Sequence, residues 1–290
     1  MAPLISILTP CYGATDTLPM ALASLRAQSL SDWECIIVDD GSRRPIAPVV
    51  KSFDDPRFRL VTHGTNRGRG SARQAALDAS TGQFVAMLDA DDWYYHHKLE
   101  RQVELLDAHP RLAAITSSMI VFDHRDRVVG RRDFSSSPLT IRRATLEAPP
   151  QIGFAPSLLR GHLARQHRFD HRLRRAEDPD YLRRVLAGRL YGATDEIHYA
   201  YCEAWSPEAI DEAFVAFDCQ RRTARRDWAV APLAMSKSWL KATARSATYA
   251  AFDAAGISPW LFWRRNQPTT EAEREHYDRQ RTHVEHHLPH

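Results

Sequence analysis

The sequence lacks a long apolar run. Its longest, from Trp228 to Met235, has eight residues and includes Pro232, whereas a helix that crosses a bilayer needs about 20 apolar residues. The first residues, MAPLISILTP, also lack the basic region and apolar stretch of a secretion signal. We therefore expect a cytoplasmic protein that does not cross a membrane, with the inner membrane face as a candidate for peripheral contact.

Cysteine is scarce, and neither sign of charge dominates. The four cysteines include no C-x-x-C pair, which predicts reduced thiols and no zinc site. Basic residues number 39 and acidic residues 36, for a net charge of +3. This balance argues against nucleic acid as the main partner.

A glycine-rich dinucleotide motif is also missing where it would be needed. A dinucleotide-dependent oxidoreductase would carry G-x-G-x-x-G after the first strand. The residues there read TPCYGA, and Gly68 and Gly70 come much later. This absence makes an oxidoreductase the weaker alternative.

Short β-branched runs alternate with helical patterns through the first half of the chain, which is 43% hydrophobic over its full length. The runs at residues 4–8, 34–38, 58–61 and 84–88 predict four strands. Helices are expected around Leu18, Leu22 and Leu25, at residues 71–80, and around Leu99, Val103 and Leu106. Such alternation predicts an α/β fold with a mostly parallel sheet, in which ligands bind beyond the carboxyl ends of the strands.

Polar clusters follow each of the four predicted strands. They read TPCY, DDGS, NRG and DADD. Each has a structural explanation, because Asp-Gly-Ser is ordinary turn chemistry and Asp92 could cap the next helix. Their coincidence at one edge of the sheet favours a binding site.

The ordered segments ISILTPCY, ECIIVDDGS, NRGRGSARQAAL and FVAMLDADDW together resemble glycosyltransferase family 2. The resemblance covers about residues 4–200 and implies the Rossmann-like GT-A fold, with a mixed, mostly parallel sheet flanked by helices. It also implies an inverting enzyme that uses a nucleotide-sugar donor. The residues that it assigns to the donor nucleotide are Thr9, Tyr12, Asp39, Asp40, Arg73 and Asp89.

The three acids at residues 89–92 would raise each other's pKa values unless a cation neutralised them. The resemblance implies that they form the family's DxD element, with Asp89 at the ribose and Asp91 on Mg²⁺ or Mn²⁺. Asp92 is the alternative metal ligand. A hard cation held by carboxylates suits a diphosphate leaving group, which gains negative charge as the glycosidic bond breaks.

The pair Glu177-Asp178 resembles the family's ED motif, whose second acid is the general base. The resemblance therefore makes Asp178 the candidate base. The residues alone favour another interpretation, in which Asp178 is a helix N-cap followed by Pro179 at the first helical position. Both interpretations remain open at this stage.

The chain departs from the family pattern in three places. Gly13 and Gln74 stand where relatives commonly have Asn. The sequence YAYCE at residues 199–203 replaces a usual Tyr-Arg-x-His run, so one expected diphosphate contact is in doubt. His198 is a candidate replacement metal ligand, although a lone histidine beside a strand is more often structural.

We expect a catalytic domain at residues 1–205, with a donor-binding half at about 1–122 and an acceptor half at about 123–205. A helical extension should occupy residues 206–290. Its helices are expected to begin near the cap Ser206-Pro207-Glu208 and to include about 236–254.

The extension holds four of the seven tryptophans, interspersed with arginines. This composition fits a membrane interface, but it also fits a cap that packs on the domain or on a second copy in a homo-oligomer. The last residues, THVEHHLPH, are expected to be a solvated tail.

The predicted function is transfer of a sugar from a nucleotide-diphosphate donor, with a UDP-sugar favoured, to an acceptor hydroxyl. The mechanism would be a metal-assisted single displacement with Asp178 as the base. The acceptor classes are a glycan, a lipid-linked saccharide or a small natural product. A catalytically inactive binding or assembly subunit is the other alternative.

Overall fold

The computed structural model describes residues 2–145, 148–203, 208–257, 260 and 263–289. Within them, one sheet contains the strands β1 (Ile5–Cys11), β2 (Trp33–Asp39), β3 (Phe58–Thr62), β4 (Phe84–Met87), β5 (Trp93–Tyr94), β6 (Leu112–Phe122), β7 (Val128–Arg132), β8 (Thr140–Arg143), β9 (Ser157–Arg160) and β10 (Leu190–Cys202). The helices are α1 (Leu18–Arg26), α2 (Ala47–Ser52), α3 (Arg69–Ala79), α4 (Lys98–Ala108), α5 (Gly161–Ala164), α6 (Glu177–Leu186), α7 (Glu208–Arg226), α8 (Pro232–Ala254) and α9 (Glu271–Glu285).

The strand order is β3-β2-β1-β4-β9-β6-β10-β5, with β7 beside β6 and β8 beside β10. The first four strands in this order are parallel, and β9 then runs antiparallel to both of its neighbours. The α/β class and the four strands expected in the first half are therefore confirmed. Each strand lies within a few residues of its predicted bounds.

Strand register brings the polar clusters to one edge of the sheet. Cys11 pairs with Asp39, and Asp39 pairs with Thr62 on the far side of β2. Leu8 pairs with Met87, which puts the acidic segment after β4 near the same level. The carboxyl ends of β1 to β4 thus border one cleft.

Apolar residues cover the sheet on both faces because β1 and β2 alternate their side chains between two cores. Ile5, Ile7 and Ile37 belong to the core under α1. Leu8 and Ile36 belong to the opposite core, which also includes residues of α3 and α6. Two-sided burial explains why most residues of these strands are apolar, as in the parallel strands of α/β proteins.

The start of α6 differs from the sequence expectation. Asp178 is not an N-cap: the cap residue is Ala176, in the left-handed region at φ 59°. The helix begins at Glu177, so Asp178 is its second residue and Pro179 its third. Burial of the Glu177 carboxylate against Arg73 accounts for this earlier start, since both acids then lie in the first turn, where the helix dipole favours them.

Helices α7 and α8 form a hairpin with a small core of its own, made of Ala224, Ala231, Ala234 and Met235. α8 begins at Pro232, four residues before the expected start. Of the expected cap, Ser206 and Pro207 lie outside the described residues. None of the described helices combines the length and the apolar content that a bilayer span requires.

Helix α9 packs back onto the sheet. Thr270 and Glu273 form a capping box at its start, and Tyr277 and Val284 are fully buried in the core that contains α1. The expectation of a solvated tail at the last residues was therefore wrong for Val284 and also for Leu288, which packs against that core. An isolated bridge between Arg131 and Gln267 joins the preceding loop to β7.

Candidate active site

A cleft of about 1010 Å³ opens at the carboxyl edge of the parallel strands. This volume is at the upper end of the usual range for small-molecule sites. The loops after β1, β2, β3 and β4 form one wall, and the segment before α6 and the start of α7 form the other. The lining residues from the first wall that matter below are Tyr12, Asp40, Arg67, Arg69, Asp89 and Asp91.

The Asp40 carboxylate holds the loop between β3 and α3. Its Oδ1 accepts hydrogen bonds from the Arg67 N–H at 3.0 Å and lies 2.8 Å from His63 Nδ1, while its Oδ2 accepts from the Gly68 N–H at 2.8 Å. Gly68 has φ 91°, a conformation that favours glycine. Asp40 therefore shapes this corner of the cleft and lies at its surface.

Three of the six residues expected at the donor nucleotide, Thr9, Asp39 and Arg73, are not part of the cleft lining. Thr9 is fully buried, and its hydroxyl lies 3.4 Å from Cys35 Sγ. Asp39 is 5% exposed and accepts a hydrogen bond from the Ser42 N–H at 2.9 Å, which fixes the turn after β2. By contrast, Tyr12 is 54% exposed and lines the cleft, where its ring is free to stack on a planar ligand.

Arg73 lies beneath the cleft surface and contacts carboxylates that belong to its two walls. Its guanidinium is 3% exposed; Nη2 donates to Asp89 Oδ1 at 3.1 Å and Nη1 to Glu177 Oε1 at 2.6 Å. Asp178 Oδ1 is 4.0 Å from the same Nη1. Burial lowers the pKa of Arg73, but the carboxylates of Asp89, Glu177 and Asp178 together raise this pKa by more. The guanidinium therefore stays charged. The sequence placed Arg73 at the nucleotide, whereas here its contacts are protein carboxylates.

The acids after β4 have different surroundings. Asp91 is exposed to the cleft and has no side-chain partner within the described residues, and desolvation together with Asp89 raises its pKa. Asp92 is 1% exposed; it accepts from the Tyr199 hydroxyl at 2.6 Å and from the Cys202 N–H at 2.7 Å. Asp92 therefore ties the segment to β10, and Asp91 is the carboxylate that is open to a cation.

The structure does not bring His198 to this cluster. Its Nε2 lies 2.9 Å from a Glu196 carboxylate oxygen, which is also paired with Arg101 on α4 at 3.1 Å, and His198 does not line the cleft. His124 does line the cleft, with its Nδ1 3.7 Å from Cys202 Sγ. In the part of the chain that the structure describes, no three His, Cys, Asp or Glu side chains converge as a complete metal site.

Asp178 lies in the first turn of α6 with 36% of its side chain exposed. Desolvation raises its pKa, Arg73 lowers it, and Glu177 and Asp89 raise it again, with a net value of about 6. The carboxylate is therefore mostly ionised at neutral pH and can still take up a proton. That is the property a general base needs.

Sequence reasoning missed the cations of the cleft. Arg67, Arg69, Arg174 and Arg175 line it, and Arg175 forms an ion pair with Glu212 on α7. These arginines place positive charge along the cleft. In sequence, Arg67 and Arg69 lie in the polar segment after β3, and Arg174 and Arg175 come just before Glu177-Asp178. This proximity is the signal that could have identified them.

Comparison with known proteins identifies the family of this chain. Residues 6–163, more than half of the chain, match the family described as Glycosyl transferase family 2. This chain belongs to that family. The match includes the segments after β1, β2 and β4 that border the cleft, and it ends before α6.

Two curated relatives illustrate the similarity. UDP-Glc:alpha-D-GlcNAc-diphosphoundecaprenol beta-1,3-glucosyltransferase WfgD of Escherichia coli is 35% identical over 103 residues, which are 36% of this chain and 41% of that protein. Succinoglycan biosynthesis protein ExoO of Rhizobium meliloti is 31% identical over 195 residues, 64% of this chain and 56% of that protein. The chain thus spans about half the length of these relatives.

The fold has a counterpart among solved structures. S. aureus TarS in complex with UDP-GlcNAc superposes with a TM-score of 0.64 at 17% identity, covering 98% of this chain and 91% of that one. At this identity the likeness concerns the fold, and it confirms the GT-A architecture expected from the sequence.

Proposed function

We propose that this chain is an inverting glycosyltransferase that moves a sugar from a UDP-sugar to an acceptor hydroxyl. The observation that carries the proposal is the position of Arg73. This one buried guanidinium contacts Asp89 on the donor side and Glu177 beside the candidate base. A base held next to the donor site is what a single displacement requires.

The donor class is supported by the cleft and by the relatives. Tyr12 and the Asp40 corner offer a stacking surface and polar groups for a nucleoside, and the four arginines offer charge for a diphosphate. The name of WfgD specifies UDP-Glc, and TarS was solved with UDP-GlcNAc and with UDP. These names describe those proteins, and we extend the nucleotide, without the sugar, to this chain.

The residues present fit a divalent cation such as Mg²⁺ or Mn²⁺. Asp91 offers hard oxygen atoms to the cleft, which is the ligand type these cations prefer. In phosphate-binding sites, Mg²⁺ is commonly held by one or two carboxylates together with waters and substrate phosphates. When bound, it would stabilise the negative charge that develops on the leaving diphosphate oxygen.

Asp178 would accept the proton of the acceptor hydroxyl as the acceptor oxygen forms its bond to the anomeric carbon. In the same step the bond from that carbon to the diphosphate oxygen breaks. The nucleoside diphosphate leaves with the bonding electron pair, and the configuration inverts. With a pKa of about 6, Asp178 is ready for this role above that pH.

The acceptor would approach from the wall formed by the segment before α6 and by α7. Leu173, Arg174, Asp211 and Glu212 lie there, a mixture of apolar and charged groups that suits a hydroxylated saccharide. A glycan, a lipid-linked saccharide and a small natural product remain the three acceptor classes for the assay.

The experiment is donor hydrolysis, in which water replaces the unknown acceptor. A panel of nucleotide sugars is incubated with the chain and Mn²⁺, and NMR follows the released sugar. We expect one donor to be hydrolysed, with the first sugar released in the opposite anomeric configuration to the donor. Retained configuration would contradict the mechanism, and UDP binding without hydrolysis or transfer would favour an inactive binding subunit.

A further inference from the structure

The hairpin of α7 and α8 exposes large apolar side chains near its turn. The exposed fractions are 54% for Trp228, 75% for Val230, 79% for Leu233 and 61% for Leu240. Scattered apolar residues are normal on a protein surface, but clustered ones mark interaction sites. Trp228 and Leu240 line one shared groove of about 570 Å³ together with Met235 and Trp239. We name the four exposed residues the hairpin tip.

Cations surround the hairpin tip, and they lack acidic partners. Arg225 lies in the same groove, and Lys237, Lys241 and Arg245 follow on α8 at intervals of four residues, which puts them on one helix face. None of these four forms an ion pair with another described residue. The surface thus combines apolar side chains with unpaired positive charge.

The two acids near the turn of the hairpin, Asp218 and Asp227, are paired with other arginines. Asp218 pairs with Arg221 and Arg222 on α7. Asp227 pairs with Arg183 of α6 and with Arg226. The positive charge beside the hairpin tip is therefore not neutralised by these neighbours.

We propose that the hairpin tip docks on the anionic surface of a membrane. Tryptophan and leucine side chains would enter the interface between headgroups and acyl chains, while the lysines and arginines would meet lipid phosphates. A second copy of the chain fits this surface less well. A symmetric contact would place the same cations against each other, and like charges repel.

Docking there would affect the position of the cleft, because α7 belongs to both regions. Glu208, Asp211 and Glu212 line the cleft at the start of α7. At its end, Arg226 donates to Asp180 of α6 at 2.7 Å. The hairpin is thus fixed to the base-bearing helix. This inference rests on the hairpin and not on the proposed sugar transfer, so each can fail separately.

The test is flotation of the full chain with vesicles. One set contains phosphatidylethanolamine and phosphatidylglycerol, and a neutral set contains phosphatidylcholine alone. We expect binding to the anionic set and little binding to the neutral set. Salt at about 0.5 M should release the bound chain, because it screens the attraction between exposed charges. Light scattering without vesicles reports the oligomeric state of the same preparation.

Two double variants probe the two components of the surface. Lys237→Glu/Lys241→Glu should lower partition into anionic vesicles at least about tenfold, because each cation near the surface contributes roughly fivefold. Leu233→Ser/Leu240→Ser should reduce it by about the same factor by removing the apolar component.

Matched controls carry equivalent changes at exposed positions elsewhere. Arg274→Glu/Arg279→Glu reverses two charges on α9, and Ile141→Ser removes an apolar side chain that is 45% exposed on β8. Both should bind vesicles as the unmodified chain does, and melting temperatures check that every variant is folded.

Four results would overturn the proposal. The first is equal binding to neutral and anionic vesicles, and the second is equal loss in the hairpin and control variants. The third is a dimer in solution that Leu233→Ser/Leu240→Ser dissociates, which would assign the surface to a second copy. Absence of any vesicle binding by the folded, unmodified chain would also contradict it.

Discussion

Charged side chains have protein partners in and behind the cleft, whereas, in the part of the chain that the structure describes, the cations beside the hairpin tip do not. In the cleft, Asp40 has three partners within the protein, and Arg73 is buried between Asp89 and Glu177. At the hairpin tip, Lys237 and Lys241 have no acidic partner among the described residues. Protein groups thus fix the charges of the first region, whereas the cations of the second region have no such partners among the described residues.

This difference matters for function because a preorganised site does not have to rearrange as charge develops during a reaction. The few cleft groups that lack protein partners, such as Asp91, are then the groups available to ligands. At the hairpin tip the four large apolar side chains are exposed together beside unpaired cations, which is typical of a surface that binds through apolar area and charge.

The largest expected effect is the loss of activity on removal of Asp91, the cleft carboxylate that has no side-chain partner among the described residues. Asp91→Ala should lower donor hydrolysis about a thousandfold, since the charge stabilisation supplied by a bound cation amounts to several kcal/mol. It should also abolish the extra thermal stabilisation that UDP gives with Mn²⁺ over EDTA.

Asp16→Ala is the matched control, because Asp16 is an exposed carboxylate outside the cleft lining. It should retain both properties. Equal stabilisation of the unmodified chain by UDP with Mn²⁺ and with EDTA would remove Asp91 as a metal ligand. Loss of the difference in Asp92→Asn alone would show that the two roles are exchanged.

A smaller effect is expected from weakening the link between the walls. Lysine keeps the positive charge but cannot bridge two carboxylates as arginine does. In Arg73→Lys the charge should therefore lie farther from Asp178 and lower its pKa less. That pKa should rise above about 6, and the acid limb of the pH profile of donor hydrolysis should move to higher pH. At pH 6 we expect a loss of about tenfold or less.

Arg59→Lys is the control for this profile. Arg59, near the start of β3, is paired with Glu34 near the start of β2. This end of the strands is opposite the cleft, so the same exchange there should leave the acid limb in place. A profile that moves equally in both variants, or in neither, would show that Arg73 does not set the protonation of Asp178.

The smallest effect concerns a buried charge with no role in the cleft. Burial lowers the pKa of Lys98 to about 7. Among the described residues, its Nζ contacts Gln102 at 2.9 Å and the ring of Tyr94. Between about pH 7 and its ordinary pKa, the unfolded chain holds this proton and the folded chain does not, so this residue's contribution to stability rises with pH.

Lys98→Met should therefore raise the melting temperature by a few degrees below pH 7, and this advantage should shrink as the pH rises toward 10. Thermal unfolding of both proteins across this range measures it. A constant difference would mean that Lys98 does not change its protonation on folding.

The parallel strands and their polar ends could be predicted from the sequence because their signals are local. Five apolar residues followed by DADD predict both a buried strand and an acidic edge without any knowledge of distant contacts. Asp39 and Asp40, at the end of β2, could be predicted from the same kind of local signal, although only Asp40 lines the cleft.

Features that depend on distant partners could not be predicted in this way. The left-handed Ala176 and the early start of α6 follow from the ion pair between Glu177 and Arg73, which are 104 residues apart. Helix α9 buries Tyr277 and Val284, but two apolar residues seven positions apart make a weak periodic signal among charged neighbours.

The measurement that tests the account most directly is donor hydrolysis by Asp178→Asn, with UDP affinity and melting temperature determined on the same preparation. We predict a loss of about a hundredfold, in keeping with the contribution of a positioned base. UDP affinity should be retained, and stability should change little because Asp178 does not cap α6. Hydrolysis within a few fold of the unmodified chain would remove Asp178 from the mechanism and contradict the proposed single displacement.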